Sequence, residues 1–393
     1  MSRARDIFER VAEAQGRRLG PEHPDTLAAR INLASALSSL GEHASARDLE
    51  LGALEAATRI YGPFHELSAN SAANLALTLE SMGDPDRAVF FMKLSVEASQ
   101  RSRAGISRLE RELRRSFLAT VEYRYRSLFG ILMSRGRTAE ALAVLGLLKE
   151  EELAGLDAAF PSAPGPEGPE GKEGDAGSAA AASGDRGAGA ELFAGTRDGP
   201  ARRTYGAAAA KSAALESERA ALAEKREVGL LAAGEARRLG ELPGLIAESG
   251  AAFRDICVGK SGPGWAPAEP EPGSWVAERL SARQAALSGM GSGATLLHAV
   301  SAADELWLVT VSPGTVVARK TGVKRKDLAA LASEFRGLVA SPSRDPRVAG
   351  AKLYDALIRP AEGDLAAAGT RSLMLSLDGE LRYAPAAALW DGG

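Results

Sequence analysis

Cysteine is nearly missing from this chain: Cys257 is the one thiol among 393 residues. A single cysteine excludes an internal disulfide framework, a Cys-rich zinc site and a protein-ligated iron–sulfur cluster. Histidine is scarce too, four in all, which leaves little from which to build a His-ligated metal centre. No metal and no cofactor is therefore expected. Aromatic residues are 5% of the chain, so the apolar content is mostly small and aliphatic, suited to close helix–helix packing rather than to an all-β sandwich. Neither sign of charge is in excess. Lys and Arg number 48 against 51 Asp and Glu, a formal net charge of −3, which argues against a global binder of nucleic acid or of anionic membrane. No apolar run approaches the roughly 18–20 residues that a membrane span needs. The start, Met1-Ser2-Arg3-Ala4-Arg5-Asp6, has no apolar stretch behind its charges and does not read as a signal peptide. The expected location is the cytoplasm. No phosphate loop, Rossmann glycine fingerprint, HExxH or Gly-x-Ser-x-Gly run is present.

What the chain does have is an internal repeat. Gly20-Pro21 recurs as Gly62-Pro63, His23 as His65, Asn32-Leu33-Ala34 as Asn74-Leu75-Ala76, and Gly41 as Gly83, all at an offset of 42 residues. The same offset runs backwards from Ala46-Arg47-Asp48 to Ala4-Arg5-Asp6. Each unit reads as two helices. Leu27, Ile31, Ala34 and Leu37 give residues 24–40 a helical apolar stripe that Gly41 ends; Ala46, Leu49, Leu54, Ala57 and Ile60 give 44–61 another. This pattern resembles a tetratricopeptide repeat of the longer, kinesin-light-chain kind, and a diverged third unit is expected over 116–150. Residues 4–19 match a second helix, so the expectation is either that Met1 opens with a capping half-repeat or that the natural protein starts earlier.

Composition divides the rest. From Pro161 to Ala190 the chain is almost wholly Gly, Ala, Pro, Ser and charged residues, too poor in large apolar groups to offset its ordering entropy. The expected organisation is repeats over 1–153, a flexible linker or insertion over 154–206, a helical hairpin over 207–258, a Pro/Gly-rich break over 259–275, and an α/β part over 276–393. In that last part Ala294–Val300, Glu305–Val311 and Thr315–Arg319 read as a β-meander, helices are expected near 326–340 and 347–358, and Arg371–Leu377 reads as a strand that stops at Asp378-Gly379. The fold class is thus mainly α: an N-terminal α-solenoid, a helical middle and a C-terminal α/β portion.

The run Leu353-Tyr354-Asp355-Ala356-Leu357-Ile358-Arg359-Pro360, then Leu373-Met374-Leu375-Ser376-Leu377-Asp378-Gly379 and Leu381-Arg382-Tyr383-Ala384-Pro385, resembles the opening part of a CHAT domain. CHAT domains are caspase-like modules found behind tetratricopeptide repeats in bacteria. The segment Gly136-Arg137-Thr138-Ala139-Glu140-Ala141-Leu142 likewise resembles the last repeat before such a domain. The resemblance implies a cysteine endopeptidase family that uses a His–Cys dyad. Both dyad positions follow the Asp-Gly reached at Asp391-Gly392, so no residue of this chain is carried over as catalytic, and the chain as it stands is expected to be inactive as a peptidase. Cys257 reads as a small buried or half-buried helix residue upstream of that domain. His298 lies on the first strand of the meander, pointing to solvent or to a polar neighbour; His23 and His65 are turn residues, and His43 is an exposed loop position.

In tetratricopeptide folds the first helix of each unit lines a concave groove, which implies a protein or peptide partner and makes Asn32 and Asn74 the candidate groove residues, with Arg30 and Asn70 bordering them. An Asn amide both donates to a carbonyl and accepts from an N–H, so it reads an extended peptide, and it equally ties two helices together. The third unit has Ser127 at that place. Residues 101–126 carry Arg101, Arg103, Arg108, Arg111, Arg114, Arg115, Arg124 and Arg126. That stretch is either a solvated helix with i, i+4 ion pairs or a basic face for an acidic partner or RNA. The functional expectation is a protein–protein interaction protein of the TPR–CHAT type, with a non-enzymatic scaffold and a subunit of an RNA-associated complex as the alternatives.

Overall fold

A computed structural model describes residues 2–106, 111–157, 190–194, 196, 198–259, 273–302, 304–341 and 343–391. It is mainly helical with one small sheet, and it divides into two compact units. The first holds residues 1–131 and 147–275, the second 132–146 and 276–393.

The first unit opens with α1 (Ser2–Leu19), α2 (Pro24–Ser39), α3 (His43–Tyr61), α4 (Glu66–Ser81), α5 (Pro85–Ile106) and α6 (Arg111–Ser134). From α1 to α5 each helix packs on the next, and α2 also touches α4, as repeat stacking requires. The 42-residue period is written into the hydrogen bonds. His23 and His65 cap α2 and α4, their Nδ1 atoms accepting from the N–H of Asp25 and of Leu67 at 3.2 Å. Behind each cap, Thr26 Oγ1 donates to the Gly20 carbonyl at 2.9 Å and Ser68 Oγ to that of Gly62 at 2.8 Å. His43, expected in a loop, is instead the half-buried first residue of α3. That helix starts one residue early.

The helix-to-helix turns repeat as closely. Glu42, Asp84 and Arg137 each donate their N–H to a carbonyl five residues back, that of Leu37, Leu79 and Leu132. Gly41, Gly83 and Gly136 sit between at φ of 84°, 79° and 71°. This is the six-to-one closure of a Schellman turn, and it needs a left-handed residue at the glycine. A Cβ at Gly83 would meet nothing within 4 Å, so the cost of filling it comes from backbone strain alone. Gly83→Ala is expected to lose about 1 kcal/mol, read as a lower urea midpoint.

The helical hairpin is α8 (Gly199–Glu227) and α9 (Ala233–Cys257), after the seventh helix, α7 (Thr138–Asp157). α8 starts at Gly199 rather than at 207, and α7 runs past 153, so both edges of the expected linker are helical. Pro200 in the first turn of α8 gives up an N–H that has no partner there, and an Ala-rich run carries the helix on. Residues 158–189 of that linker, and 260–272 of the Pro/Gly-rich break, lie outside the described residues. The hairpin packs on α3. Tyr205 and Phe193 stack edge-on against Phe90 of α5, while Arg59 of α3, 5% exposed as a side chain, reaches Glu216 of α8 at 2.6 Å. Consequently every residue of α5 from Ala88 to Gln100 is buried.

The second unit contains α10 (Trp275–Gly289) from Val276 onward and a four-stranded sheet in the order β3-β2-β1-β4: β1 (Ala294–Ala302), β2 (Glu305–Val311), β3 (Val316–Lys324) and β4 (Ser372–Leu377). β1 and β2 pair antiparallel from Leu296 opposite Val311 to Ala302 opposite Glu305, and β2 pairs antiparallel with β3. β4 joins β1 in parallel, Ala294 opposite Ser372. Helices α11 (Arg325–Val339), α12 (Arg347–Leu357) and the short α13 (Glu362–Ala367) precede β4. Leu328, Phe335, Leu353 and Leu357 from these helices share a core with Leu297, Leu306 and Leu308 of the sheet.

Candidate functional site

The α2–α4 face carries the site. Ser35, Ser38 and Ser39 of α2, with Asn74, Leu77, Thr78 and Ser81 of α4, surround a cavity of about 290 Å³ whose remaining lining residue is Glu50 of α3. Helical spacing puts these residues there: three- and four-residue steps along α2 and α4 keep them on the facing stripes of two adjacent first helices. Leu77 apart, every group is polar.

Glu50 is fully buried, with 0% exposure. Thr78 Oγ1 donates to its Oε1 at 3.1 Å and lies 3.2 Å from Ser38 Oγ, which is in turn 3.4 Å from His43 Nδ1. Glu50 Oε2 accepts no hydrogen bond among the described residues. Burial pushes the Glu50 carboxyl up to about 8, and the Thr78 hydrogen bond offsets only part of that rise. The buried group therefore favours its protonated form over a wider pH range than an exposed carboxyl does.

Sequence reasoning passed over Glu50, although the repeat register held the signal. At the same offset of 42 residues its counterparts are Phe8 and Met92, and the third unit offers Leu145 at the larger offset set by Gly83 and Gly136. Met92 is 0% and Leu145 2% exposed. A slot filled elsewhere by apolar side chains holds a carboxyl here.

The four predicted residues do not form one cluster. Asn74 lines the cavity, and its Nδ2 donates to Ser35 Oγ across α2 and α4 at 2.9 Å, so it does tie two helices together. Asn32 is exposed on α2 and Arg30 half-buried on the same helix. Asn70 belongs to a different network: its Oδ1 accepts from Arg124 Nη2 at 2.6 Å, beside bonds from Arg124 to Glu66 and Ser99, both at 2.7 Å.

Arg124 also corrects the picture of 101–126 as a solvated basic face. Arg124 is 0% and Arg126 6% exposed, and Arg101 lies 3.9 Å over the ring of Phe64 while pairing with Glu97. Arg124 and Arg126 turn inward on packed helices, and Arg101 is half-buried. The side chains of Arg103, Arg108, Arg111, Arg114 and Arg115 lie outside the described residues.

Cys257 is buried, and desolvation drives its thiol well above the usual range, the opposite of an activated nucleophile. His298 is 5% exposed rather than facing solvent, because β1 is the inner strand between β2 and β4. A second cavity, about 450 Å³ beside β4, is lined mainly by aliphatic side chains; its Tyr354 hydroxyl donates to Glu362 at 2.9 Å. No cluster of His, Cys, Asp and Glu able to hold a metal ion occurs among the described residues. No described helix is long and apolar enough to cross a membrane.

No curated protein matches the chain. The family model described as tetratricopeptide repeat matches residues 1–51, which span α1, α2 and the first half of α3 through Leu51. The N-terminal helices therefore carry a tetratricopeptide repeat, a protein–protein interaction module.

Proposed function

We propose that this chain is a protein–protein interaction protein whose repeats bind an extended segment of a partner polypeptide on the α2–α4 face. One observation carries the reading. The outer helices α3 and α5 are covered by the chain's own 190–257 segment, whereas α2 and α4 keep an uncovered polar cavity with Asn32, Ser39 and Ser81 exposed around it. Extended peptides are read by side chains that both donate and accept, and Ser and Asn dominate this face. The test is selection of a random peptide library on the immobilised full chain. Enriched peptides should lose at least tenfold in affinity when Ser39→Trp fills the face, and nothing when Lys326→Trp alters the other unit. Equal loss with both, or with neither, sinks the reading.

For residues 276–393 we propose the opening part of a CHAT domain, regulated by occupancy of the repeats. The support is the order of elements, a meander followed by helices and then a parallel strand that ends at the buried Asp378 beside Gly379. The coding sequence beyond Gly393 tests this. A His-Gly followed by Ser-Ala-Cys is expected; a stop codon directly after Gly393 would overturn it.

A further inference from the structure

We propose that the cavity between α2 and α4 is a socket for one lysine side chain of the partner polypeptide, with Glu50 as the counter-charge at its floor. The inference rests on the reading of the α2–α4 face as the partner-binding face, and it specifies what that face selects.

The sign of the ligand follows from the lining. Glu50 is the one ionisable residue that lines the cavity; α2 contributes Ser35, Ser38 and Ser39, and α4 contributes Asn74, Leu77, Thr78 and Ser81. With no basic side chain in the wall, an anion would meet a carboxyl and nothing to balance its charge. A cation meets a carboxyl oxygen, Oε2, that is buried and accepts from no described group. The carboxyl stands in a slot that neighbouring units fill with Phe8, Met92 and Leu145, and its bond from Thr78 engages only one of its two oxygens.

Lysine fits better than arginine. A guanidinium is a planar fork that seeks both oxygens of a carboxylate side by side, whereas Glu50 Oε1 is shared with Thr78 and Oε2 is the oxygen with no described donor. An ammonium is a compact group with three donors, matched by Oε2 and the surrounding hydroxyl oxygens, while its four-carbon stem lies along Leu77. Proton balance is simple. Before a ligand enters, burial favours the protonated Glu50 carboxyl. When the ammonium enters, that one proton leaves to solvent and the ammonium keeps its three, so the socket exchanges one positive charge for another. His43 of α3 is linked to the site through the Ser38 hydroxyl.

The experiment measures affinities of the full chain for Ala/Ser nonapeptides that differ at one central residue: lysine, acetyl-lysine, arginine, norleucine or glutamate. The lysine peptide should bind at least tenfold tighter than the norleucine and acetyl-lysine peptides. Glu50→Met and Glu50→Gln, each checked for wild-type helicity, should both erase that preference. n-Butylamine, measured in parallel, should compete with the lysine peptide alone. Peptides that bind without regard to the central residue, or a lysine preference that survives in both Glu50 variants, would overturn the inference and leave the partner-binding reading in place. Glu50-dependent binding of n-butylamine with no peptide bound would overturn both the partner-binding reading and the lysine source.

Discussion

Glu50→Met is expected to make the protein more stable at pH 8 while removing its selectivity for a cation. Burial raises the Glu50 carboxyl from 4.5 to about 8. A folded-state value above the unfolded one means that the native protein holds the extra proton through that window. Stability contributed by the protonated carboxyl is fully present below pH 4.5 and declines as pH rises toward 8. Above that, forcing the charge into the cavity floor costs about 4 to 5 kcal/mol. Methionine carries no such penalty, and Met92 shows that the equivalent slot accepts it fully buried. Thr78 keeps Ser38 as a neighbour at 3.2 Å when its carboxyl partner is removed. Urea midpoints from pH 5 to pH 9 should fall for the wild type and stay level over the same range for the variant. A variant no more stable than wild type at pH 8, or one with the same slope, contradicts the burial account. The expected pairing of higher stability with lost binding is what a site retained for function shows.

Lys93→Met should be among the most damaging single changes in the first unit. Lys93 on α5 and Asp198 at the start of α8 meet at 2.6 Å with side chains 1% and 5% exposed. Removing one partner of a buried ion pair costs about 3 to 5 kcal/mol. Replacing both removes the pair together with its desolvation penalty. Lys93→Met/Asp198→Leu is therefore expected to recover all but about 1 kcal/mol of the loss, with urea denaturation as the readout. Hydrogen exchange adds the location: α8 amides should lose protection in the single variant and regain it in the double one. If the two substitutions instead add, the pair does not hold the hairpin to α5. The Phe90, Phe193 and Tyr205 contacts would then be its main anchor.

The elements were read from local pattern more easily than the site was. Helices and strands appear near their expected bounds because Gly41, His23 and their counterparts act within one turn of where they stand. The same holds for β1, β2 and β4, whose alternation and turn residues are local signals, whereas β3 runs past its expected end at Arg319 to Lys324, paired along β2. The start of α8 was missed because low-complexity composition masked a usable helix start at Gly199-Pro200. The arginines of 101–126 were misjudged for another reason. Their charge suggests water, but Glu66, Asn70 and Ser99 arrive from other helices to satisfy Arg124.

The sequence by itself determined the repeat, its 42-residue period, its glycine turns and the turn positions of His23 and His65, since each is a short-range requirement repeated along the chain. It also determined that one thiol and four histidines offer little for a metal centre. The tertiary structure decided what the polar residues do. Periodicity assigns Asn74 and Asn32 to one slot, but only packing shows the first bonded to Ser35 and the second exposed. Periodicity likewise aligns Glu50 with Phe8 and Met92, while its meaning comes from Thr78 and from a polar cavity enclosed by helices α2 and α4. Burial and the carboxyl's proton affinity depend on groups distant in sequence, and no local pattern contains them.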